Sequence, residues 1–149
     1  ASFYCNTIPT PDGGTHEAGL RLALTRGLKN FAGLTGNKRA ADLAGEDVFS
    51  GAEIMLSLFI RDPQFQSQTK DRLTSPEATR LVENAIKDHF DHWLVANGER
   101  GKSLLAFVVE RMEDRLRRRQ EALVKRKTAT SKSSLRLPGK LTDCSRDDA

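Results

Sequence analysis

The run Ile54–Ile60 constrains the fold more than any other stretch, because it is apolar at every position except Ser57. A short apolar run that ends at a turn signal is typical of a buried β-strand, although periodicity alone leaves a buried helix open. The length of the run and the Asp62-Pro63 pair that follows it favour the strand. We therefore predict a strand that is buried on both faces, and a sheet to which it belongs.

A second strand and a first helix are predicted at the start of the chain. Residues Ser2–Ile8 favour a strand, since β-branched and aromatic residues are frequent there. Pro9–Gly14 ends it with residues typical of turns, and Thr15 is placed to act as the N-cap of a helix. That helix should end at Gly33–Gly36. Its apolar stripe consists of Leu20, Leu24, Leu28 and Phe31.

Two further helices are predicted in the second half of the chain. Ser75-Pro76-Glu77 is a strong helix start, with a hydroxyl at the N-cap, Pro at the first position and a carboxylate in the first turn. Asn97-Gly98 ends this helix, and another begins near Lys102. The helix that begins at Ser75-Pro76-Glu77 presents an apolar face made of Leu81, Val82, Ala85, Ile86, Phe90 and Trp93. The second carries an apolar stripe made of Leu104, Val108, Met112 and Leu116.

The fold class predicted from these elements is α+β. Its parts are an α+β body over residues 1–97, a long amphipathic-to-basic helix over 98–130, and a linker over 131–149. Within the body, Asn37–Ala44 favours a loop and Glu46–Gly51 a short helical turn. Thr128–Ser134 is small and polar, which is typical of a linker. Because two strands make a poor sheet on their own, we infer that another strand precedes Ala1 in a longer protein.

Positive charge is concentrated near the C-terminus. Residues 1–110 hold 12 Lys and Arg against 14 Asp and Glu, whereas residues 111–140 hold 11 against 3. A solvated helix face is the ordinary interpretation of such a run, but closely spaced cations also suit the phosphates of double-stranded DNA. The helix loses its apolar stripe there, so we expect it to leave the domain body. The candidate DNA contacts are Arg115, Arg117, Arg118, Arg119, Lys125, Arg126 and Lys127.

Several classes of site are not supported by the residue spacing. No apolar run approaches the roughly 20 residues of a membrane span, so no membrane partner is predicted. Cys5 and Cys144 lie at opposite ends without a metal or redox spacing, which favours a reduced, cytoplasmic protein. Gly98–Ser103 has the wrong glycine spacing for a phosphate loop and follows a helix. His89 and His92 lack a third ligand, so no metal site is predicted, and no catalytic triad or carboxylate pair stands out.

The loop Asp62–Lys70 is the candidate binding site. Gln68 and Thr69 offer neutral hydrogen bonds and Lys70 offers a compact positive charge, a combination that suits a phosphate group. An ordinary polar surface loop is the alternative interpretation. His16 lies at a helix N-terminus, where a capping or supporting role is more common than direct ligand contact.

Three stretches together resemble the ATPase subunits of bacterial type IIA topoisomerases, those of DNA gyrase and of topoisomerase IV. They are Asn6–His16, the loop from Asp62 to Lys70 with its Gln-Thr-Lys triplet, and Leu137–Cys144. Their order and spacing agree with that family over nearly the whole chain. The form of Leu135–Pro138 favours the topoisomerase IV branch over gyrase.

The resemblance implies a fold and a site. The chain would be a partial transducer domain of ribosomal-protein-like fold with a left-handed βαβ crossover, its first strand lying upstream. ATP and Mg²⁺ would be bound mainly by a preceding GHKL domain absent from this chain. Lys70 would be the catalytic contact to the γ-phosphate, with Gln68 and Thr69 beside it. Residues 131–149 would lead into a TOPRIM cleavage domain, also absent, so the chain alone should be inactive.

The resemblance also implies partners and a cellular place. The expected partners are double-stranded DNA, a second copy of the same subunit, and the A subunit of topoisomerase IV or gyrase. The place would be the bacterial cytoplasm, in association with the chromosome. The alternative function is a non-enzymatic DNA-binding module that acts through the basic helix. A different GHKL ATPase is disfavoured, because Leu137–Cys144 leads into a cleavage domain that such proteins lack.

Overall fold

The computed structural model describes residues 1–135, with side chains described for residues 1–129. It contains a small three-stranded sheet and long helices, which confirms the mixed α+β class. Two compact units are present, one spanning residues 1–112 and the other beginning at Glu113. The elements are β1 Ser2–Cys5, β2 Ile8–Pro9, α1 Thr15–Thr35, a 3₁₀ helix Lys38–Asp42, α2 Gly45–Phe49, β3 Met55–Leu58, α3 Pro76–Ala96 and α4 Gly98–Leu135.

The strands lie in the order β2-β1-β3, with β1 antiparallel to β2 and parallel to β3. The single strand predicted over Ser2–Ile8 is therefore wrong. Asn6 and Thr7 both take positive φ angles, 49° and 66°, and turn the chain back on itself. The Asn6 amide also pairs with the Ile60 backbone in both directions, at 2.9 Å each. These two bonds to a residue 54 positions away help to hold Asn6 in the left-handed conformation, which Asn tolerates better than most residues other than glycine.

Strand β3 lies at one edge of the sheet, and only one of its faces is covered. Met55 and Phe59 are 75% and 74% exposed, while Leu56 and Leu58 between them are half-buried. The predicted burial on both faces is therefore wrong. The half-buried residues of β3 pack towards the core that also contains residues of α1 and α3. The sequence run shows that the strand is apolar, but it does not show which faces receive a helix layer.

Helix α1 packs closely against α3 across small residues. A Cβ atom on Gly19 would stand 2.4 Å from the carbonyl oxygen of Thr79, so the backbones approach where the side chain is missing. The Thr79 hydroxyl donates to the carbonyl of Thr15 at 3.0 Å. The core beneath is built on Phe3, Leu20 and Val82, with Leu24, Phe49, Ile54, Leu56, Leu58 and Ile86 packed against it.

Helix α4 begins at Gly98, earlier than the predicted start near Lys102. Gly101 is buried, and a Cβ atom there would meet the Phe31 ring at 2.9 Å and the Leu94 carbonyl at 3.0 Å. Gly98–Ser103 is thus the first part of α4, and the turn between two helices expected there is wrong, since only Asn97 separates α3 from α4. The helix also continues through Leu135, so Thr128–Ser134 is helical and the linker predicted there is wrong.

The remaining predictions about connections have mixed outcomes. The short helical turn expected at Glu46–Gly51 corresponds to α2, while the loop expected at Asn37–Ala44 contains a 3₁₀ helix. The segment Leu137–Cys144 lies outside the described residues. None of the helices in the described part of the chain has both the length and the apolar character of a membrane span.

Candidate phosphate-contacting loop

The loop Gln64–Thr74 folds into a small hairpin. The backbone N–H of Thr74 donates to the carbonyl of Gln64 at 2.8 Å, and that of Gln66 donates to Arg72 at 3.0 Å. A bridge between Phe65 and Leu73 lies between these two bonds. The loop is therefore a defined hairpin with its own ladder of hydrogen bonds.

The tip of the hairpin is a turn over Ser67–Lys70, closed by a bond from the Lys70 N–H to the Ser67 carbonyl at 3.1 Å. Gln68 and Thr69 are its two central residues, and Lys70 follows with a positive φ of 58°. A turn followed by a left-handed residue is a common hairpin form, but glycine usually occupies the left-handed position. A lysine there costs about 1 kcal/mol of backbone strain. Strain of this kind is concentrated at functional positions.

The side chains at the tip have different partners. Thr69 donates its hydroxyl proton to the carboxylate of Asp71 at 2.5 Å and also contacts the Ser67 hydroxyl at 2.7 Å. A hydroxyl has a single proton to donate, so Thr69 would have to release Asp71 before donating to a ligand. Lys70 has no ion-pair partner among the described side chains, and its Nζ lies 5.7 Å from the centroid of the Phe65 ring. Gln68 is exposed at the tip beside it.

The structure therefore brings Gln68, Thr69 and Lys70 together on one exposed turn. Two nearby residues, Phe65 and Asp71, contact this set and were missed by sequence reasoning. The sequence shows only that Asp71 follows the triplet and that Phe65 lies three positions before it. Their contacts with the triplet depend on the hairpin fold.

The hairpin is held by the segment Gly13–Thr15, which runs beside Leu73 as a short parallel bridge. Leu73 donates its N–H to the Gly13 carbonyl and accepts the Thr15 N–H, each at 3.1 Å. Asp12 adds a bond to the Asp71 carbonyl at 2.9 Å. Gly14 has a φ of 137°, and a Cβ atom on it would stand 2.2 Å from the Leu73 carbonyl oxygen. The glycine pair thus allows the turn before α1 to hold the loop.

The base of the hairpin is also joined to α3. Ser75 is the residue before that helix, as predicted, but its hydroxyl does not cap the helix. It is fully buried and accepts the N–H of Gln64 at 2.8 Å. The prediction of Thr15 as an N-cap is wrong: Thr15 is the first helical residue of α1, and Gly14 occupies the N-cap position without a side-chain bond.

His16 lies beneath this turn and is fully buried. Its Nε2 atom and the Thr10 hydroxyl are 3.0 Å apart, and its ring meets the edge of Phe3 at a centroid distance of 5.7 Å. Burial lowers the pKa of His16, because the charged imidazolium loses its hydration, while Glu17 opposes that shift. Within the described residues its Nδ1 atom has no hydrogen-bond partner. In this conformation His16 supports the turn from inside and is not available to a ligand.

The predicted DNA contacts lie in the second unit, on α4. At 3.6 residues per turn, five of the seven fall within an arc of about 120° on the helix circumference. These five are Arg115, Arg118, Arg119, Lys125 and Arg126. Arg117 lies roughly opposite and pairs with Asp114 at 2.9 Å, and Lys127 lies apart from both groups. Arg115 is half-buried and the other six are exposed.

Metal-ligating residues are not clustered in the part of the chain that the structure describes. No group of three His, Cys, Asp or Glu side chains converges there. His89 and His92 are both exposed on α3.

Comparisons with known proteins identify a family and relatives of this chain. The profile of the DNA gyrase B family matches residues 1–123. The chain is 58% identical over 146 residues to the B subunit of DNA topoisomerase 4 from Bartonella bacilliformis, covering 98% of the chain and 21% of that protein. It is 52% identical to the same protein of Caulobacter vibrioides, covering 95% of the chain and 20% of the relative. Identity to the B subunit of DNA gyrase from Caulobacter vibrioides is lower, 37%, over 97% of the chain and 18% of that protein.

Two solved structures have a similar fold over most of this chain. The ATP-binding domain of topoisomerase IV from Francisella tularensis superposes with a TM-score of 0.73 at 27% identity, covering 78% of this chain and 33% of that one. The 43K ATPase domain of gyrase B from Thermus thermophilus gives 0.70 at 27% identity, covering 83% and 33%. The chain spans about a fifth of the length of the curated relatives named above.

Proposed function

Since the chain belongs to the DNA gyrase B family, we propose that it serves as the transducer segment of an ATP-dependent type IIA DNA topoisomerase subunit. The greater identity to topoisomerase IV proteins than to the gyrase protein supports the topoisomerase IV branch. In this proposal the fold is ribosomal-protein-like with a left-handed βαβ crossover between the parallel strands β1 and β3. The chain would couple ATP binding elsewhere in the subunit to movement of the DNA gate.

The observation that carries the proposal is the tip of the hairpin. Gln68 and Lys70 are exposed on one turn, and Lys70 lacks a carboxylate partner among the described residues. An ammonium group without an ion pair keeps its full charge for an anion, and amide and hydroxyl groups beside it supply further hydrogen bonds. This donor set fits the oxygens of a terminal phosphate.

The function follows from what differs between ATP and ADP. A γ-phosphate near the tip would place negative charge beside Lys70, and its loss after hydrolysis would remove that partner. A ligand can shift a conformational equilibrium only by its differential affinity for the two states. Lys70 would supply that difference, while Gln68 would help to orient the phosphate. Thr69 would contribute by exchanging its bond to Asp71 for one to a phosphate oxygen.

ATP and Mg²⁺ would be held mainly by parts of the subunit outside this chain. The tip offers donors for phosphate oxygens, which fits the nucleotide, whereas Mg²⁺ prefers carboxylate and other oxygen ligands. When bound, the nucleotide supplies the charge that the loop detects. The residues of this chain would bind and orient the terminal phosphate.

The loop is connected to the rest of its unit in a way that suits transmission. Its base is bonded to Ser75, which directly precedes α3, and α3 passes into α4 through the single residue Asn97. A displacement of the loop would therefore act on the start of a 21-residue helix that packs along α1. Rigid helices are the usual carriers of such movements.

A second candidate function is a DNA-binding module. It is favoured because five of the seven basic residues lie on the same side of α4. Cations along one side of a helix can follow the phosphates of duplex DNA. In the topoisomerase proposal the same residues would contact the transported duplex. The partners would be duplex DNA, a second copy of the subunit and the A subunit of topoisomerase IV or gyrase, in the bacterial cytoplasm.

The test is the ATP turnover of the full-length subunit. Lys70→Met keeps the aliphatic stem and removes the charge, so turnover should fall by at least about ten-fold, the value expected for losing a charge-assisted hydrogen bond. Lys87→Met removes an exposed lysine of α3 and serves as the control, which should keep normal turnover. Normal turnover of Lys70→Met would refute the phosphate-contact role.

A further inference from the structure

Lys70 contacts the aromatic ring of Phe65. The residue types of the Gln68-Thr69-Lys70 triplet do not predict this contact. Phe65 pairs with Leu73 in the hairpin ladder, and Lys70 Nζ lies over its ring, 5.7 Å from the ring centroid. This distance falls within the range of roughly 6 Å in which a cation is attracted to an aromatic face.

Packing and backbone pairing restrain the Phe65 side chain. Phe65 is half-buried and packs against the apolar cluster of Cys5, Leu73 and Ala78. Its backbone is paired with Leu73 in the hairpin ladder. An aromatic side chain has two rotatable angles, so packing on one side and ladder pairing leave it little freedom. Phe65 therefore offers a fixed surface beneath a long and flexible lysine.

The nature of this contact suits a residue that must later bind phosphate. A carboxylate beside Lys70 would neutralise its charge and occupy its N–H donors, whereas an aromatic face attracts the ammonium without accepting a strong hydrogen bond. The contact also restricts the lysine before the ligand arrives. Ordering a lysine side chain costs rotamer entropy, so partial ordering in advance strengthens later binding.

We propose that Phe65 is a positioning residue, whose ring holds the Lys70 ammonium over its face with its charge free for a terminal phosphate. This inference rests on the proposed function of Lys70. It adds Phe65 as a second residue, which positions the lysine for that function. Phe65 touches neither the nucleotide nor the reacting atoms in this account. It acts only through Lys70.

The first experiment compares Phe65→Leu and Phe65→Tyr in the full-length subunit. Leucine keeps apolar packing and removes the ring, so kcat for ATP hydrolysis should fall about two- to five-fold, and affinity for a non-hydrolysable ATP analogue should fall by a similar factor, as expected for losing an exposed cation–π contact. Tyrosine keeps the ring and should retain wild-type kcat. Ile60→Val trims a residue that packs on the same cluster and should also keep wild-type kcat. Equal kcat values in Phe65→Leu and the wild type would overturn the proposal.

The second experiment asks whether Phe65 acts through the lysine. If it does, adding Phe65→Leu to Lys70→Met should reduce kcat no further, because the ring then has no ammonium to hold. The same two- to five-fold loss in both backgrounds would instead mean that Phe65 acts through the fold, and would overturn the inference. Where Lys70→Met turns over too slowly, affinity for a non-hydrolysable ATP analogue replaces kcat. Failure of the proposed function is distinguishable, since Lys70→Met would then match the wild type.

Discussion

Gly14 lies so close to Leu73 that a Cβ atom on the glycine would stand 2.2 Å from the leucine carbonyl oxygen. The two residues belong to segments almost sixty positions apart, the turn before α1 and the second half of the Gln64–Thr74 hairpin. The contact is between the two backbones. Neither segment can shift without breaking the backbone hydrogen bonds that Leu73 makes to Gly13 and Thr15. Position 14 therefore requires glycine for the turn before α1 to pack against the hairpin.

Replacing this glycine should be costly. Gly14→Ala introduces the clash with Leu73 and forces a side chain onto a φ of 137°, so we expect a loss of more than about 2 kcal/mol in the free energy of unfolding. Urea unfolding of the 149-residue chain measures it. Gly33→Ala is the matched control, because a Cβ atom there has no neighbour within 4 Å and alanine favours the helix. A stability loss in Gly14→Ala no larger than in Gly33→Ala would contradict the structure.

Asn6 offers a second test of a backbone position. Its amide exchanges two hydrogen bonds with the Ile60 backbone, and its φ is 49°. Asn6→Ala should reduce the free energy of unfolding by about 2–4 kcal/mol, from two lost bonds and the left-handed strain. Asn6→Gly loses the bonds and keeps the accessible conformation, so its loss should be smaller by about 1 kcal/mol. Equal losses in the two variants would show that backbone strain contributes nothing there.

Burial of His16 predicts a pH dependence of stability. Because burial lowers the pKa of His16 in the folded state, the unfolded chain binds the proton more readily as the pH falls. The stabilisation is present above the ordinary histidine value of 6.5 and is lost as the pH falls below it. Urea unfolding at pH values from 7.5 to 5 (roughly the range in which unperturbed histidine titrates) should show this loss.

Variants identify the histidine responsible for that slope. His16→Gln should flatten the pH dependence in this range, since it removes the buried titrating group. His89 is exposed on α3, and His89→Gln should leave the slope in place. If His16→Gln keeps the full slope, another group is the cause.

The two sides of α4 should differ in their effect on DNA binding. Arg118 lies among the five residues on one side, while Arg117 lies roughly opposite. In the full-length subunit, DNA affinity should fall less steeply with salt in Arg118→Gln. The magnitude of the slope of log affinity against log salt should decrease by about 0.9, the value for one lost phosphate contact on duplex DNA. Arg117→Gln should leave it nearly unchanged. Equal effects of both variants would mean that charge, and not its position on the helix, determines binding.

Much of the fold follows from local sequence. The long amphipathic helices α1 and α3 were predicted, because a 3.6-residue period and start signals such as Ser75-Pro76-Glu77 are local properties. The turn at Asn6-Thr7 was missed because it contains no glycine, and its conformation depends on the distant Ile60. The exposed face of β3 was missed for a similar reason, since burial depends on the layer packed above it.

The candidate site could be predicted in part. The residue types of Gln68, Thr69 and Lys70, with the resemblance to a known family, indicated a phosphate contact. Their shared position on one turn, and the Phe65 ring beneath Lys70, arise from a hairpin whose partners are distant in sequence. No local pattern encodes the bond between Thr10 and His16 or the approach of Gly14 to Leu73.

The central claim is that Lys70 distinguishes a nucleotide with a γ-phosphate from one without it. The most direct measurement is the affinity of the full-length subunit and its Lys70→Met variant for a non-hydrolysable ATP analogue and for ADP. We expect the variant to bind the analogue about ten- to a hundred-fold more weakly, the value of a charge-assisted hydrogen bond, and to bind ADP normally. An equal change for both nucleotides, or no change for either, would contradict the account.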